Sequence, residues 1–184
     1  LQPYDTDSSH QSAIIMTILL FTGPVYEDLE LWYPKLRLEE AGFRTVVAGL
    51  TMDEVRGKHG YPCTPDVTVD ALSAGQFDGL VIPGGFAPDK LRRSPKVLEL
   101  TREIFEAGKL VAFICHAGWV PISARIVTGK RGTSVSAIKD DLVNAGMLWE
   151  DRSVVVDGNM ITSRNPGDLP DFMREVVKWL KAES

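Results

Sequence analysis

Three stretches of the chain, IIMTILLF (14–21), DGLVIPGG (78–85) and KLVAFIC (109–115), are apolar or nearly so, without the alternation that a half-solvated strand shows. Each leads through a short turn region into a pattern of helical period. Unbroken apolar runs of this length are characteristic of strands covered on both faces, and strands followed by helices are the signature of a parallel sheet whose crossovers are helical. This alternation leaves few architectures open. The reading is an α/β fold of flavodoxin-like type: a doubly wound, mostly parallel sheet with helices on both faces, a three-layer sandwich.

The remaining segments fit that frame. YEDLELWYPKLRLEEAG (26–42) predicts a helix with Leu29, Trp32, Tyr33 and Leu36 at helical spacing, a kink at Pro34 and a stop at Gly42. FRTVVAGL predicts a strand, and SPKVLELTREIFEAG a helix capped by Ser94 with Pro95 in its first turn. HAGWVPISARIV predicts a helix with an interrupted start, and SAIKDDLVNAG another. RSVVVDGNMITSR predicts a hairpin turning at Asp157-Gly158-Asn159. The closing helix carries Leu169, Phe172, Met173, Val176, Val177 and Leu180 on one face. RGKHGYPCTPDVTVDAL, with its Gly, Pro and alternating Val residues, predicts an extended excursion.

At 184 residues one domain suffices, expected over 13–184, with 1–12 as a flexible leader or cloning remnant. The longest apolar run falls far short of the ~20 residues a spanning helix needs, so no membrane association is expected. A formal net charge of −5 with dispersed basic residues argues against nucleic-acid partners. Two cysteines, Cys63 and Cys115, without a secretory signal suggest free thiols and a cytoplasmic location. Neither CxxC nor HxxxH occurs and the three histidines are scattered, so no metal site is expected; no cofactor is expected either.

In open α/β sheets the ligand site lies outside the carboxyl ends of the strands. Three turns there carry chemistry. Cys115 falls at a sharp strand-to-helix turn with small residues Ala117 and Gly118 behind it, the arrangement that exposes a nucleophile; a helix N-terminus would lower its pKa. Gly84 and Gly85 can turn backbone N–H groups toward the site as an oxyanion hole. Glu27, of the acidic residues opening the first helix, is nearest the strand end and could stay protonated beside the sulfur. His116 is a candidate base if the elbow brings its ring round, with Asp89 as its orienting carboxylate. Phe86 and Trp119 are expected to line the substrate pocket. Alternatives remain open at each position: a buried structural cysteine, an ordinary glycine turn, acids that complement the helix dipole, and an exposed histidine.

Taken together, YEDLELWYP, GKHGY, FDGLVIPGGFAPD, ICHAGW, GTSVSAIKDDLVNAG and VVVDGNMITSRNPGDLPDFMREVVKWL resemble the PfpI branch of the ThiJ/PfpI superfamily, related in architecture to class I glutamine amidotransferases. The resemblance implies Cys115 as nucleophile, Glu27 as the carboxyl partner of its sulfur, and Gly85 with the His116 backbone as oxyanion donors. It further implies His116 as base in peptidase-like members, with an acid at Asp89 donated by a neighbouring subunit. It implies a homo-oligomer, dimer or hexamer, acting on a small carbonyl compound or a peptide: a deglycase, a cofactor-independent glyoxalase or a peptidase. Other members are redox or stress proteins that oxidise this cysteine without turnover. Ala117-Gly118-Trp119 replaces the usual Gly-Pro-Gln, Val135-Ser136 replaces Tyr-Pro, and Asp89 replaces Glu.

Overall fold

A computed structural model describes residues 15–183. The leader expected over 1–12 lies outside the described residues. The main sheet has seven strands: β1 (Thr17–Phe21), β2 (Arg44–Gly49), β3 (Val67–Thr68), β4 (Gly79–Ile82), β5 (Leu110–Ile114), β6 (Val154–Asp157) and β7 (Met160–Ser163). Their spatial order is β6-β7-β5-β4-β1-β2-β3. Every neighbouring pair is parallel except the β6–β7 hairpin. The chain runs outward from β1 to β3, then returns to place β4 on the other side of β1. The topological switch point therefore lies between β1 and β4, whose register pairs Ile18 with Gly79 and Leu20 with Val81.

The three apolar runs form the centre. β4 and β5 are buried along their whole length, and β1 is buried from Ile18 onward. Helices α1 (Asp28–Glu40), α2 (Ala87–Leu91), α3 (Pro95–Glu106), α4 (Trp119–Ser123), α5 (Lys139–Asn144) and α6 (Leu169–Ala182) complete the fold. The Ser94 hydroxyl accepts from the Val97 amide at the start of α3, and the six apolar residues expected on α6 are all buried. The excursion at 56–72 pairs Val55–Arg56 with Pro62–Cys63 and then supplies the edge strand β3.

Helix α1 departs from the expectation. It runs unbroken through Pro34, and its buried face is Asp28, Glu30, Leu31, Pro34 and Leu38. Leu29 and Leu36 are 57% and 58% exposed, and Tyr33 is 37% exposed. Apolar residues occur on both sides of this helix, so the 3.6-residue period alone does not decide which stripe faces the sheet. The interrupted helix after Cys115 is also shorter than expected: a 3₁₀ turn over Cys115–Gly118 leads into the five residues of α4.

Candidate active site

Three connections converge at the switch point. Residues 22–27 leave β1, residues 83–86 leave β4, and Cys115 leaves β5. Tyr26 and Gly85 form an isolated antiparallel bridge across the first two. Gly85 has φ +76°, and a Cβ there would meet the Glu27 nitrogen at 2.4 Å and the Val25 oxygen at 2.5 Å. Only glycine fits this crossing of two backbones.

Cys115 adopts φ +62°, which is uncommon and unfavourable for a residue with a side chain. This left-handed turn is what makes a Cys–His pair at adjacent positions workable. On a regular helix the two side chains would diverge; here the sulfur lies 3.3 Å from His116 Nδ1. The backbone N–H groups of His116 and Gly85 both interact with the sulfur. The Trp119 ring packs against the imidazole in an edge-type contact at 5.4 Å between centroids, while its indole N–H donates to Asp141.

The carboxyl group against the sulfur is that of Glu30. It is fully buried; Oε2 accepts from the Gly84 amide at 2.8 Å, and Oε1 has no hydrogen-bond partner among the described residues. Burial, opposed by the Gly84 donor and reinforced by the nearby Glu27, pushes Glu30 up to about 8. Burial and the adjacent Glu30 push the Cys115 thiol up to about 12. His116 is moved the other way, below its ordinary value, by burial and by the Lys58 charge. The resting site is thus disposed toward a neutral carboxyl, a neutral thiol and a neutral imidazole.

Several expectations are corrected by this geometry. Glu27 is not the partner of the sulfur: it is the N-cap of α1, its carboxylate accepting from the Leu29 amide and lying 3.6 Å from His59 Nε2. One residue outside the helix, it lines the cavity beside His59, whereas Glu30 lies on the buried face. The thiol is not lowered by a helix N-terminus, because the 3₁₀ turn and five-residue α4 provide little aligned dipole and desolvation dominates. Gly84 is not available as an oxyanion donor, since its N–H is committed to Glu30; the amides that face the sulfur are those of Gly85 and His116. Asp89 pairs with Arg93 one helical turn away, and its side chain is about half exposed.

A cavity of about 440 Å³ opens over the thiol, lined by Glu27, Leu29, Glu30, Lys58, His59, Gly85, Phe86, Cys115, His116, Val135 and Pro166. Phe86 lines it as expected; Trp119 and Asp89 do not. Lys58 and His59 enter from the GKHGY turn, which sequence reasoning left without a role. Asp28 holds that turn: its two carboxylate oxygens accept from the amides of His59 and Tyr61 at 2.8 and 2.9 Å. Glu27, Asp28 and His59 bring potential ligand atoms within 4.8 Å of one another. The commitment of both Asp28 oxygens to the backbone gives that group a structural explanation without a metal.

The sheet order, the strained cysteine turn and the carboxyl–thiol–imidazole cluster define a class of α/β proteins built around one cysteine at the switch point. The chain matches the model of the DJ-1/PfpI family over residues 16–179, and it belongs to that family. It is 47% identical to "Deglycase PfpI" of Pyrococcus furiosus over 166 residues, 90% of this chain and 100% of the relative. It is 45% identical to "Deglycase TK1284" of Thermococcus kodakarensis over the same shares. The crystal structure of Drosophila melanogaster DJ-1beta superposes with a TM-score of 0.85 at 31% identity, covering 91% of each chain. A two-domain Anabaena variabilis protein containing DJ-1/ThiJ/PfpI-like and ferritin-like domains gives 0.89 at 40% identity, with 90% of this chain covering 48% of that one.

Proposed function

We propose that this chain is a cysteine-dependent deglycase-type enzyme in which Cys115 adds to the carbonyl carbon of a small oxoaldehyde adduct. The observation that carries this reading is the contact between the sulfur and His116 Nδ1 at a strained turn, with the buried Glu30 behind it. The deglycase names of relatives at 45 to 47% identity support the class of reaction.

Because the thiol is disfavoured as an anion, attack is coupled to proton transfer: the S–H proton passes to His116 Nδ1 as the S–C bond forms. The carbonyl π pair moves onto oxygen, which meets the N–H groups of Gly85 and His116. Glu30 in its protonated form interacts with the sulfur through its carboxyl group and positions it without adding a second negative charge. The peptidase reading needs an acid from a neighbouring subunit, since within this chain Asp89 pairs with Arg93 and does not line the cavity. A purely redox role would draw on the same sulfur and differs in showing no turnover.

The test is turnover of a methylglyoxal hemithioacetal, followed as loss of the adduct and release of the acid product. Cys115→Ser is expected to lower kcat/KM by at least about a thousandfold. Activity retained in that variant defeats the assignment. Selective sulfinic oxidation of Cys115 in a protein that turns over no adduct decides for the redox alternative.

A further inference from the structure

We propose that Lys58 is a specificity-determining residue of this cavity, an anion subsite that selects carbonyl adducts carrying a carboxylate. The inference deepens the deglycase reading and rests on it for the identity of the substrate. Its physical basis is separate. Lys58 is the one lysine or arginine among the described residues that line the cavity with Cys115, His116 and Gly85. Its backbone is fixed: the Lys58 amide donates to the Tyr26 carbonyl at 2.7 Å, the preceding Gly57 amide donates to the Tyr61 carbonyl, and Asp28 accepts from the amides of His59 and Tyr61. Gly57 is itself required there, since a Cβ would lie 2.4 Å from the Asp28 carboxylate. The turn is therefore a rigid mount for a lysine at the mouth of the site.

The Lys58 side chain forms no ion pair among the described residues, although the chain has many surface pairs. Glu27 faces the same cavity, its carboxylate 3.6 Å from His59 Nε2. The Lys58 charge acts on both His116 and Glu30, so its field extends to the reacting atoms. An unpaired cation at a cleft whose walls include the apolar Leu29, Phe86, Val135 and Pro166 raises the local concentration of anionic ligands. A single ammonium opposed by the Glu27 carboxylate suits a monoanion, hence a carboxylate rather than a dianionic phosphate. The chemical class is an oxoaldehyde adduct on a thiol or amine of a free amino acid.

Two measurements on the full chain test this. In the first, Cys115 is alkylated by iodoacetate or iodoacetamide at one alkaline pH and low salt, and each rate is read by mass spectrometry on the peptide carrying Cys115. Both reagents form the same S–C bond and expel iodide, so any change in thiol pKa or access cancels in their rate ratio. The iodoacetate-to-iodoacetamide ratio is expected to fall about fivefold in Lys58→Met, to persist in Lys58→Arg, and to be eroded by about 0.5 M NaCl. An equal ratio in wild type and Lys58→Met overturns the subsite.

The second compares turnover of the methylglyoxal hemithioacetals of N-acetylcysteine and N-acetylcysteine amide, which differ only by the carboxylate. The wild type is expected to prefer the carboxylate adduct in kcat/KM, and Lys58→Met to lose that preference. An alkylation preference that follows Lys58 without a matching turnover preference overturns the assignment to substrate. An alkylation preference with neither adduct turned over leaves the subsite standing and defeats the deglycase reading.

Discussion

At Cys115 the backbone and the surroundings pull in opposite directions. The N–H groups of His116 and Gly85 favour a thiolate; burial and the neighbouring Glu30 oppose it and prevail, leaving the thiol near 12. Ionisation by pH alone is then a poor route to a nucleophile near neutrality, and in the proposed reaction His116 supplies the base. Its own pKa is lowered, by burial and then by Lys58, so the ring is free to accept at neutral pH. The expected kcat/KM rises as pH passes through a value below 6.5, where His116 loses its proton, and falls again near 8, where Glu30 does. His116→Gln should flatten the acidic limb and Glu30→Gln the alkaline one; a profile unchanged in either variant rejects its role. Cys115, His116 and Gly85 were legible in the sequence because a thiol, a small-residue elbow and paired glycines each have a local signature. Glu30 was not, since choosing among Glu27, Asp28 and Glu30 requires knowing which side of α1 faces the sheet.

Helix α1 decides that question. Its start and stop were readable from the acidic first turn and from Gly42, which takes φ +93° just beyond the end. Its orientation was not, because Leu29, Trp32, Tyr33 and Leu36 make as good a stripe as Leu31, Pro34 and Leu38. The second set packs inward, and the acid it carries to the sheet is Glu30. Leu31→Ala is accordingly expected to cost about 2–5 kcal/mol by urea unfolding, and Leu36→Ala within about 0.5 kcal/mol of zero. The reverse order would mean the helix is turned about its axis. The GKHGY turn raises a related difficulty: its glycines and lysine read as a surface loop, and only the contact with Asp28, some thirty residues earlier in the chain, makes it part of the site. Burial alone would raise Asp28, but the amides of His59 and Tyr61 outweigh it and hold the carboxyl below its ordinary value. Asp28→Ala should therefore speed hydrogen exchange at those two amides and lower kcat/KM while leaving β4 and β5 protected. Unchanged exchange at residues 59 and 61 would show that the clamp is dispensable.

Across the whole molecule, the fold class followed from the unbroken apolar runs, because strands of that kind need cover on both faces and helical crossovers supply it. The strand order did not, since the jump from β3 across β1 to β4 leaves no local mark in the sequence. That jump creates the crevice, and the crevice buries Glu30, a placement that costs the fold stability. The sign follows from linkage. The unfolded carboxyl ionises near its ordinary 4.5, whereas the folded one keeps its proton until about 8. Between those values the native state binds more protons, so stability falls as pH rises and levels off above about 8. Glu30→Gln keeps an acceptor for the Gly84 amide and removes the titration. The variant is expected to match the wild type near pH 4.5 and to exceed it by on the order of 2–4 kcal/mol at pH 8, a Tm gap of about 5–10 °C. A gap that does not change with pH between those limits would place the proton elsewhere, and with it the group that holds the sulfur. A gap that opens as expected shows that the fold bears a stability cost for keeping this acid buried beside the sulfur.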